Sequence, residues 1–350
     1  MKALTVRPGE AGSAAIDEVA EPDPAEGAVL VEMVAVGVCG TDRELVAGEY
    51  GEAPPGEERL VIGHESLGRV LASPDGAPTA AGDLVAGIVR RPDPVPCPSC
   101  AVGEWDMCSN GRYTEHGIKE LSGFARERWR EEPDRLVRVE PALGPLGVLM
   151  EPTSVVAKAW EQIERIGRRA HWRPRTVLVT GAGPIGLLAA LLGVERGLEV
   201  HVLDRVTEGL KPDLVGALGA TYHAGSVGDL GPQADVVVEC TGAAELIADV
   251  LTHNAPNGIV CLAGVSARGG RTALDLGGLN RLMVLENDVV FGSVNANRRH
   301  YEAAAAALAG ADRSWLGRLV TRRVPLDGGV EVLAEQQPDD IKVVLVPAGT

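Results

Sequence analysis

Aromatic side chains are scarce in this 350-residue chain, which holds two Phe, four Tyr and five Trp. Surfaces that stack the bases of single-stranded nucleic acid depend on such rings, so that class is excluded. Cations are outnumbered: 33 Lys and Arg face 49 Asp and Glu, for a net charge of −16. Binding a phosphate backbone needs clustered Lys and Arg, so no nucleic-acid partner is expected. Only five of those cations are lysine. No apolar run approaches the ~18 residues of a membrane helix, so no membrane partner is expected either. Met1 is not followed by a charged-then-apolar leader, which makes the cytoplasm the expected location. There is no internal repeat and no low-complexity tract.

What is present is enough apolar material, 45% of residues, for two cores rather than one. Up to about residue 150 the chain reads as short β-type segments, among them residues 29–36, 68–71 and 83–89. Turn-rich stretches at 49–58 and 90–98 separate them, which predicts a strand-rich, barrel-like domain with functional loops. The texture changes near Glu151. Residues 176–180 read as a buried parallel strand, 184–196 as a helix stopped at Gly197, and 200–203 as the next strand. Apolar runs at 235–239, 259–262 and 289–291 alternate with helix-like stretches, the pattern of a doubly wound parallel sheet. An alanine-rich helix at 301–308 and a strand at 342–346 read as a return to the first domain.

Gly181-Ala182-Gly183-Pro184-Ile185-Gly186 is a G-x-G-x-x-G run after a predicted strand and at the start of a helix. In that context it marks a dinucleotide site. Gly181 makes the turn, Gly183 admits the pyrophosphate and Gly186 packs helix on strand. The helix N-terminus adds free N–H groups and positive potential. Asp204 stands where an acidic residue accepts from the ribose 2′-hydroxyl of NAD. Arg205 follows it and is suited to a 2′-phosphate instead. The reading is NAD with dual use of NADP, against the plainer one of Arg205 as a solvated surface residue.

Cys39-Gly40-Thr41-Asp42, Gly63-His64-Glu65 and Glu151-Pro152 offer the Cys, His and carboxylate donors of a catalytic zinc. Alone, each has a plainer reading as a small buried hydrophobe, a hydrogen-bonded imidazole or a turn residue. Their joint appearance beside a dinucleotide fingerprint favours chemistry. Zinc would acidify an alcohol otherwise far too weak an acid at pH 7. Thr41 would relay the hydroxyl proton, and Glu65 would either bind the metal or sit just behind it. Six cysteines without a leader make a poor disulfide framework. Cys97, Cys100 and Cys108 have spacing suited to a structural zinc, with Asp93 as the nearest candidate for a fourth ligand. An empty, degenerate lobe is the alternative.

In these motifs the chain resembles the zinc-containing medium-chain dehydrogenases, and more closely the archaeal-type glucose dehydrogenases among them. Residues 39–48 (CGTDRELVAG) and 60–65 (LVIGHE) carry the likeness, followed in order by Arg90-Arg91, the cysteine lobe and Thr114-Glu115-His116-Gly117-Ile118. Met150-Glu151-Pro152, Gly292-Ser293-Val294-Asn295 and Ile341-Lys342-Val343-Val344 complete it. The resemblance implies a discontinuous GroES-like β-barrel catalytic domain (1–153 and 296–350) and a Rossmann domain with a doubly wound parallel sheet (154–295). It implies catalytic zinc at Cys39 and His64, with Glu65 and Glu151 as nearby or alternate ligands. It also implies sugar contacts from Thr41, Glu115, Glu151 and Asn295. The cofactor lining is expected at Gly181, Gly183, Pro184, Ile185, Gly186, Asp204, Arg205 and Thr241, with Ala263, Gly264, Val265, Ser293, Val294 and Asn295.

The activity so implied is oxidation of a glucose-like aldose at C1 to the lactone, with hydride passing to NAD or NADP. A polyol, an aminocyclitol or a secondary alcohol is the alternative substrate, and a cofactor-binding protein without chemistry the remote one. Buried acceptors such as Glu115 favour a polyhydroxy substrate, since each would cost about 1–3 kcal/mol unpaired. A homodimer or homotetramer is expected from the family. Three departures stand out. Asp204-Arg205-Val206 replaces the family's arginine pair, Pro94 stands in the register of a lobe cysteine, and residues 283–288 lack a histidine that some members carry.

Overall fold

Residues 320–325 and 342–346 near the C-terminal end pair with each other in parallel, and the second of these strands joins an N-terminal sheet. That pairing explains why the chain divides into two units, Met1–Ser154 with Asn295–Thr350, and Val155–Val294. The computed structural model describes residues 1–230, 233–266 and 271–348.

The first unit is strand-rich. Its main sheet runs Leu136–Arg138, Leu84–Gly87, Glu65–Ala72, Val29–Val38, Lys342–Val346, Val320–Pro325, with Arg128–Glu131 also on Val29–Val38. Val29–Val38 is central, and its alternation of buried and half-buried residues over the first half fits a strand with one face on a core. That core gathers Leu4, Val31, Val36, Leu60, Phe124, Trp129 and Leu345, all nearly inaccessible. Two three-stranded sheets flank it: Ala15–Glu18, Lys2–Val6 and Leu60–Val61, and Arg90–Arg91, Thr114–His116 and Glu120–Leu121. The latter corrects the turn reading of residues 90–98: Arg90 and Arg91 begin it as a strand, because their backbones pair with Glu115 and Thr114.

The second unit is a six-stranded, wholly parallel sheet in the order Thr221–His223, Glu199–Leu203, Thr176–Thr180, Ala234–Glu239, Asn254–Leu262, Val289–Gly292. Its middle strands are near-continuous apolar runs, as two covered faces require. The strand Asn254–Leu262 begins five residues before the apolar run that betrays it, because its first part is polar. Helix Pro184–Glu195 is apolar up to Val194, and Leu187 to Gly193 are buried. It ends at Arg196, with Gly197 in the left-handed region at φ 72°. The alanine-rich segment is a longer helix than its apolar positions suggest, Arg298–Gly310, started at Asn297. No described helix is long and apolar enough to cross a membrane.

Candidate active site

In the first unit, three strands deliver the predicted metal donors to one point. Val29–Val38 ends at Cys39, which starts helix Gly40–Val46. On one side Glu65 pairs with Gly37; on the other Val343 pairs with Val38, so that Lys342 lies next to the same strand end. Gly37 is required here, since a Cβ on it would lie 1.9 Å from Glu65 Oε2.

Cys39 Sγ and His64 Nε2 are 3.0 Å apart, and the donor atoms of Cys39, His64 and Glu65 all fall within 4.8 Å of one another. Asp42 is buried behind them. Its Oδ2 accepts from the Cys39 N–H at 2.9 Å, and its Oδ1 lies 3.5 Å from His64 Nδ1. A carboxylate behind the far nitrogen of an imidazole is the arrangement that orients a metal-binding histidine. Burial alone would push the His64 imidazole down, but the negative partners Cys39 and Asp42 prevail and hold it well above its ordinary value. The Cys, His and carboxylate donor set suits zinc.

Glu65 is also clasped by Lys342, whose Nζ donates to both carboxylate oxygens at 2.6 Å and to the Val38 carbonyl at 3.1 Å. Both residues are buried. Glu151, the second residue of helix Met150–Gly167, stands outside the close group. Burial pushes its carboxyl up to about 7, with His64 opposing and Glu65 reinforcing the rise. Thr41 is half-buried, one residue into the helix that Cys39 starts.

The expected sugar contacts Glu115 and Asn295 meet, although 180 residues separate them. Glu115 Oε1 accepts from Asn295 Nδ2 at 2.7 Å and from Arg90 Nε at 3.0 Å. The Arg90 guanidinium lies 3.7 Å over the Tyr113 ring. Asn295 is left-handed, at φ 62°, and its Oδ1 accepts from the Ala296 N–H.

In the cysteine lobe, Cys97, Cys100 and Cys108 form a second close donor group. N–H groups of Cys100 and Ser109 point at Cys97 Sγ, each at 3.5 Å, and pull its thiol down to about 5. Burial and the neighbouring sulfurs push Cys100 up to about 11. Asp93 is not in this group: its carboxylate accepts from the Val95 N–H and from the Asn110 amide. The loop spends that carboxylate on its own turn, which sequence spacing does not reveal.

In the second unit, Gly181 turns at φ 88° and its N–H donates to the Leu203 carbonyl at 2.7 Å. Gly183 is the N-cap of helix Pro184–Glu195 and provides no side-chain cap, so the first N–H groups stay open. A Cβ on Gly186 would fall 1.7 Å from the Gly181 carbonyl oxygen. Thr241 follows buried Glu239, whose Oε1 accepts from the Thr241 N–H at 2.7 Å and its hydroxyl at 2.5 Å. Ala263 and Gly264 donate to the Glu239 carbonyl, and Ser293 to that of Leu262. Val294 is held through its carbonyl by Lys158 Nζ at 2.9 Å. These turns all follow the carboxyl ends of parallel strands, where open α/β sheets bind ligands. Asp204 also stands there. Burial would raise its carboxyl, but the N–H groups of Ala182 and Val206, with Lys211, hold it below the ordinary range. Lys342, Asp42, Arg90, Glu239 and Lys211 carry no role in the sequence reading. Of these, Asp42, Arg90 and Lys342 lie within motifs that carry the family likeness, whereas nothing in the sequence signals Glu239 or Lys211.

A barrel unit with a Cys–His–Glu group, joined to a Rossmann sheet, is the plan of the zinc-containing medium-chain dehydrogenases. Residues 25–141 match the alcohol dehydrogenase GroES-like domain, and residues 144–346 the glucose dehydrogenase C-terminus. Glucose 1-dehydrogenases of Methanocella arvoryzae and Thermoproteus tenax are 40% and 42% identical, each over 99% of both chains. The glucose dehydrogenase of Haloferax mediterranei, solved with NADP, Zn and gluconolactone, superposes with a TM-score of 0.91 at 32% identity over 100% of both chains. The chain belongs to the glucose dehydrogenase family of the medium-chain dehydrogenases.

Proposed function

We propose that this protein oxidises a glucose-like aldose at C1 to the lactone, with NAD or NADP as oxidant. The observation that carries this reading is the meeting of half-buried Cys39 with buried His64 and Glu65. The relatives named glucose 1-dehydrogenase, and the Haloferax enzyme solved with gluconolactone, support the substrate. Cys39 and His64 would hold zinc, with Glu65 or Glu151 as a further carboxylate, and zinc there supplies the Lewis acid that acidifies a sugar hydroxyl. NAD or NADP on the Gly181–Gly186 turn supplies the acceptor for the C1 hydrogen and its electron pair.

The chain's own residues do the rest. Asp42 fixes the His64 ring with Nε2 towards Cys39. Lys342 holds both oxygens of the Glu65 carboxylate. Thr41, two residues after Cys39, is the outward relay for the hydroxyl proton. Glu115, anchored by Arg90 and Asn295, is the charged acceptor for sugar hydroxyls, which bind carboxylates more strongly than neutral acceptors. A simple alcohol would leave that buried carboxylate short of partners. In the lobe, Cys97, Cys100 and Cys108 would hold a second, structural zinc.

Six free cysteines fit a reducing, cytoplasmic setting. The edge strand Val289–Gly292, with Leu276, Val284 and Leu285 exposed on helix Leu276–Glu286, supports a homodimer or homotetramer.

The test is zinc content and turnover, with aldoses and polyols presented alongside NAD and NADP. Cys39→Ala should lose one zinc per chain while the lobe zinc stays. Turnover should fall by roughly three decades or more, since Lewis-acid activation is worth several kcal/mol. Dinucleotide affinity, measured by titration calorimetry, should be unchanged. A variant that keeps its zinc and its turnover would sink the reading.

A further inference from the structure

The parallel sheet of the second unit reverses its strand order beside Thr176–Thr180. From there the chain builds to one edge through Glu199–Leu203 and Thr221–His223. It then builds to the other edge through Ala234–Glu239, Asn254–Leu262 and Val289–Gly292. Thr180 and Glu239 are register partners at the carboxyl ends of the two strands where the order reverses. A crevice opens at such a point, because the turns on either side leave in opposite directions, and open α/β sheets bind their ligands in it. Glu239 is wholly buried there.

Its Oε1 accepts from the Thr180 hydroxyl at 3.2 Å, the Thr241 N–H at 2.7 Å, the Thr241 hydroxyl at 2.5 Å and the Gly242 N–H at 3.2 Å. Oε2 accepts from the Gly242 N–H at 3.1 Å. One side chain thus ties the strand before the Gly181–Gly186 turn to the turn at 240–243. The Glu239 carbonyl takes the N–H groups of Ala263 and Gly264, each at 2.8 Å. The two turns are pressed together: a Cβ on Gly264 would lie 2.3 Å from the Gly242 nitrogen, and one on Gly242 would lie 2.4 Å from the Val265 carbonyl oxygen. With its hydroxyl drawn to Glu239, Thr241 brings its methyl to 2.8 Å from a Cβ built on Gly181. A carboxylate accepts at about four sites and donates at none, which is what this ring of donors requires.

We infer that Glu239 is a positioning residue for the dinucleotide: it fixes, before the ligand arrives, the two turns at 240–243 and 263–264 that line the crevice. It acts through Thr241, Gly242 and the backbone of Ala263 and Gly264. Turns set in advance spare the ligand the cost of ordering them. The inference rests on the dinucleotide reading given above.

The experiment compares the wild-type chain with two variants. Glu239→Gln keeps the side chain's size but places an amide N–H₂ among groups that are themselves donors. Thr241→Val leaves the buried carboxylate in place and removes one of its bonds. Titration calorimetry with NAD and with NADP needs neither zinc nor sugar. Glu239→Gln should weaken both dinucleotides about tenfold or more, the scale of a bond to a charged group, and Thr241→Val about threefold or more. In the free protein, hydrogen exchange should quicken at residues 240–243 and 262–264 of both variants, while helix Pro184–Glu195 keeps its wild-type rate. Exchange that quickens evenly over residues 155–294 marks a merely structural role and overturns the inference. So do variants that bind both dinucleotides as tightly as wild type, and either result leaves the dinucleotide site standing. A wild-type chain that binds neither NAD nor NADP overturns the dinucleotide reading and the inference together.

Discussion

Of the chain's five lysines, one is buried against Glu65 and another is bonded to Asp204. A buried ammonium is costly unless paired, and in a chain that places arginine almost everywhere else these positions call for a compact point charge. Neither pairing is legible in the sequence. Glu65 and Lys342 are 277 residues apart, and only the antiparallel pairing of their strands with Val29–Val38 joins them. The Glu115–Asn295 bond is hidden for the same reason, whereas Cys39, His64 and Glu65 are suggested by their joint appearance beside a dinucleotide fingerprint.

His116, beside Glu115, allows a prediction at this scale. Its Nδ1 donates to the Ser122 carbonyl at 2.7 Å, which leaves Nε2 for Arg91 at 2.9 Å, with Glu131 at the same distance. Burial, and then the charge of Arg91, press the imidazole below its ordinary 6.5, with Glu131 opposing. Below that pH the unfolded chain takes up a proton that the folded chain resists, so stability falls as pH drops. The slope from this one group approaches 1.4 kcal/mol per pH unit. Melting temperatures between pH 7.5 and 5.5 should therefore fall more steeply for wild type than for His116→Gln. Parallel curves for the two would remove His116 from the account.

At the scale of elements, the strand–turn–helix from Thr176 to Glu195 was the most readable part of the chain, because its instructions are local. A β-branched run, three spaced glycines and an apolar helix follow one another without a break. The barrel unit was less readable. Its strands are short and its partners distant, so residues 90 and 91 read as turn although their backbones pair as a strand. The glycines of the turn can be separated by experiment. Gly183 has φ −84°, and nothing lies within 4 Å of a Cβ built on it, so alanine fits the free protein. Gly183→Ala should leave the melting temperature unchanged or slightly raised, in line with a Gly→Ala gain of roughly 0.4–1 kcal/mol. It should weaken dinucleotide binding about tenfold or more, because the open space is where the pyrophosphate must approach. Gly186→Ala should behave oppositely, since its Cβ meets a backbone oxygen at 1.7 Å and the element itself must shift. If both variants melt lower by the same amount, the distinction between ligand space and packing space fails.

For the whole molecule the governing quantity is the net charge of −16. Many of the cations that are present stand in pairs, such as Lys2 with Asp327, Arg128 with Glu21 and Arg298 with Glu302, at solvent-exposed positions where a pair contributes little. Salt acts on both sides of this balance. It weakens those pairs, and it screens the repulsion among the surplus carboxylates. The pairs are short-ranged and individually weak, whereas the repulsion sums over the whole surface, so relief of repulsion should win. The key buried pairs, Lys342 with Glu65 and Arg90 with Glu115, are sheltered from screening. Raising potassium chloride from about 0.05 M to about 1 M, which shortens the Debye length to roughly 3 Å, should therefore raise the melting temperature. Chloride is the right anion for this measurement, because sulfate would strengthen apolar burial and confuse the cause. A melting temperature that falls with added chloride would mean that the surface pairs outweigh the surplus charge.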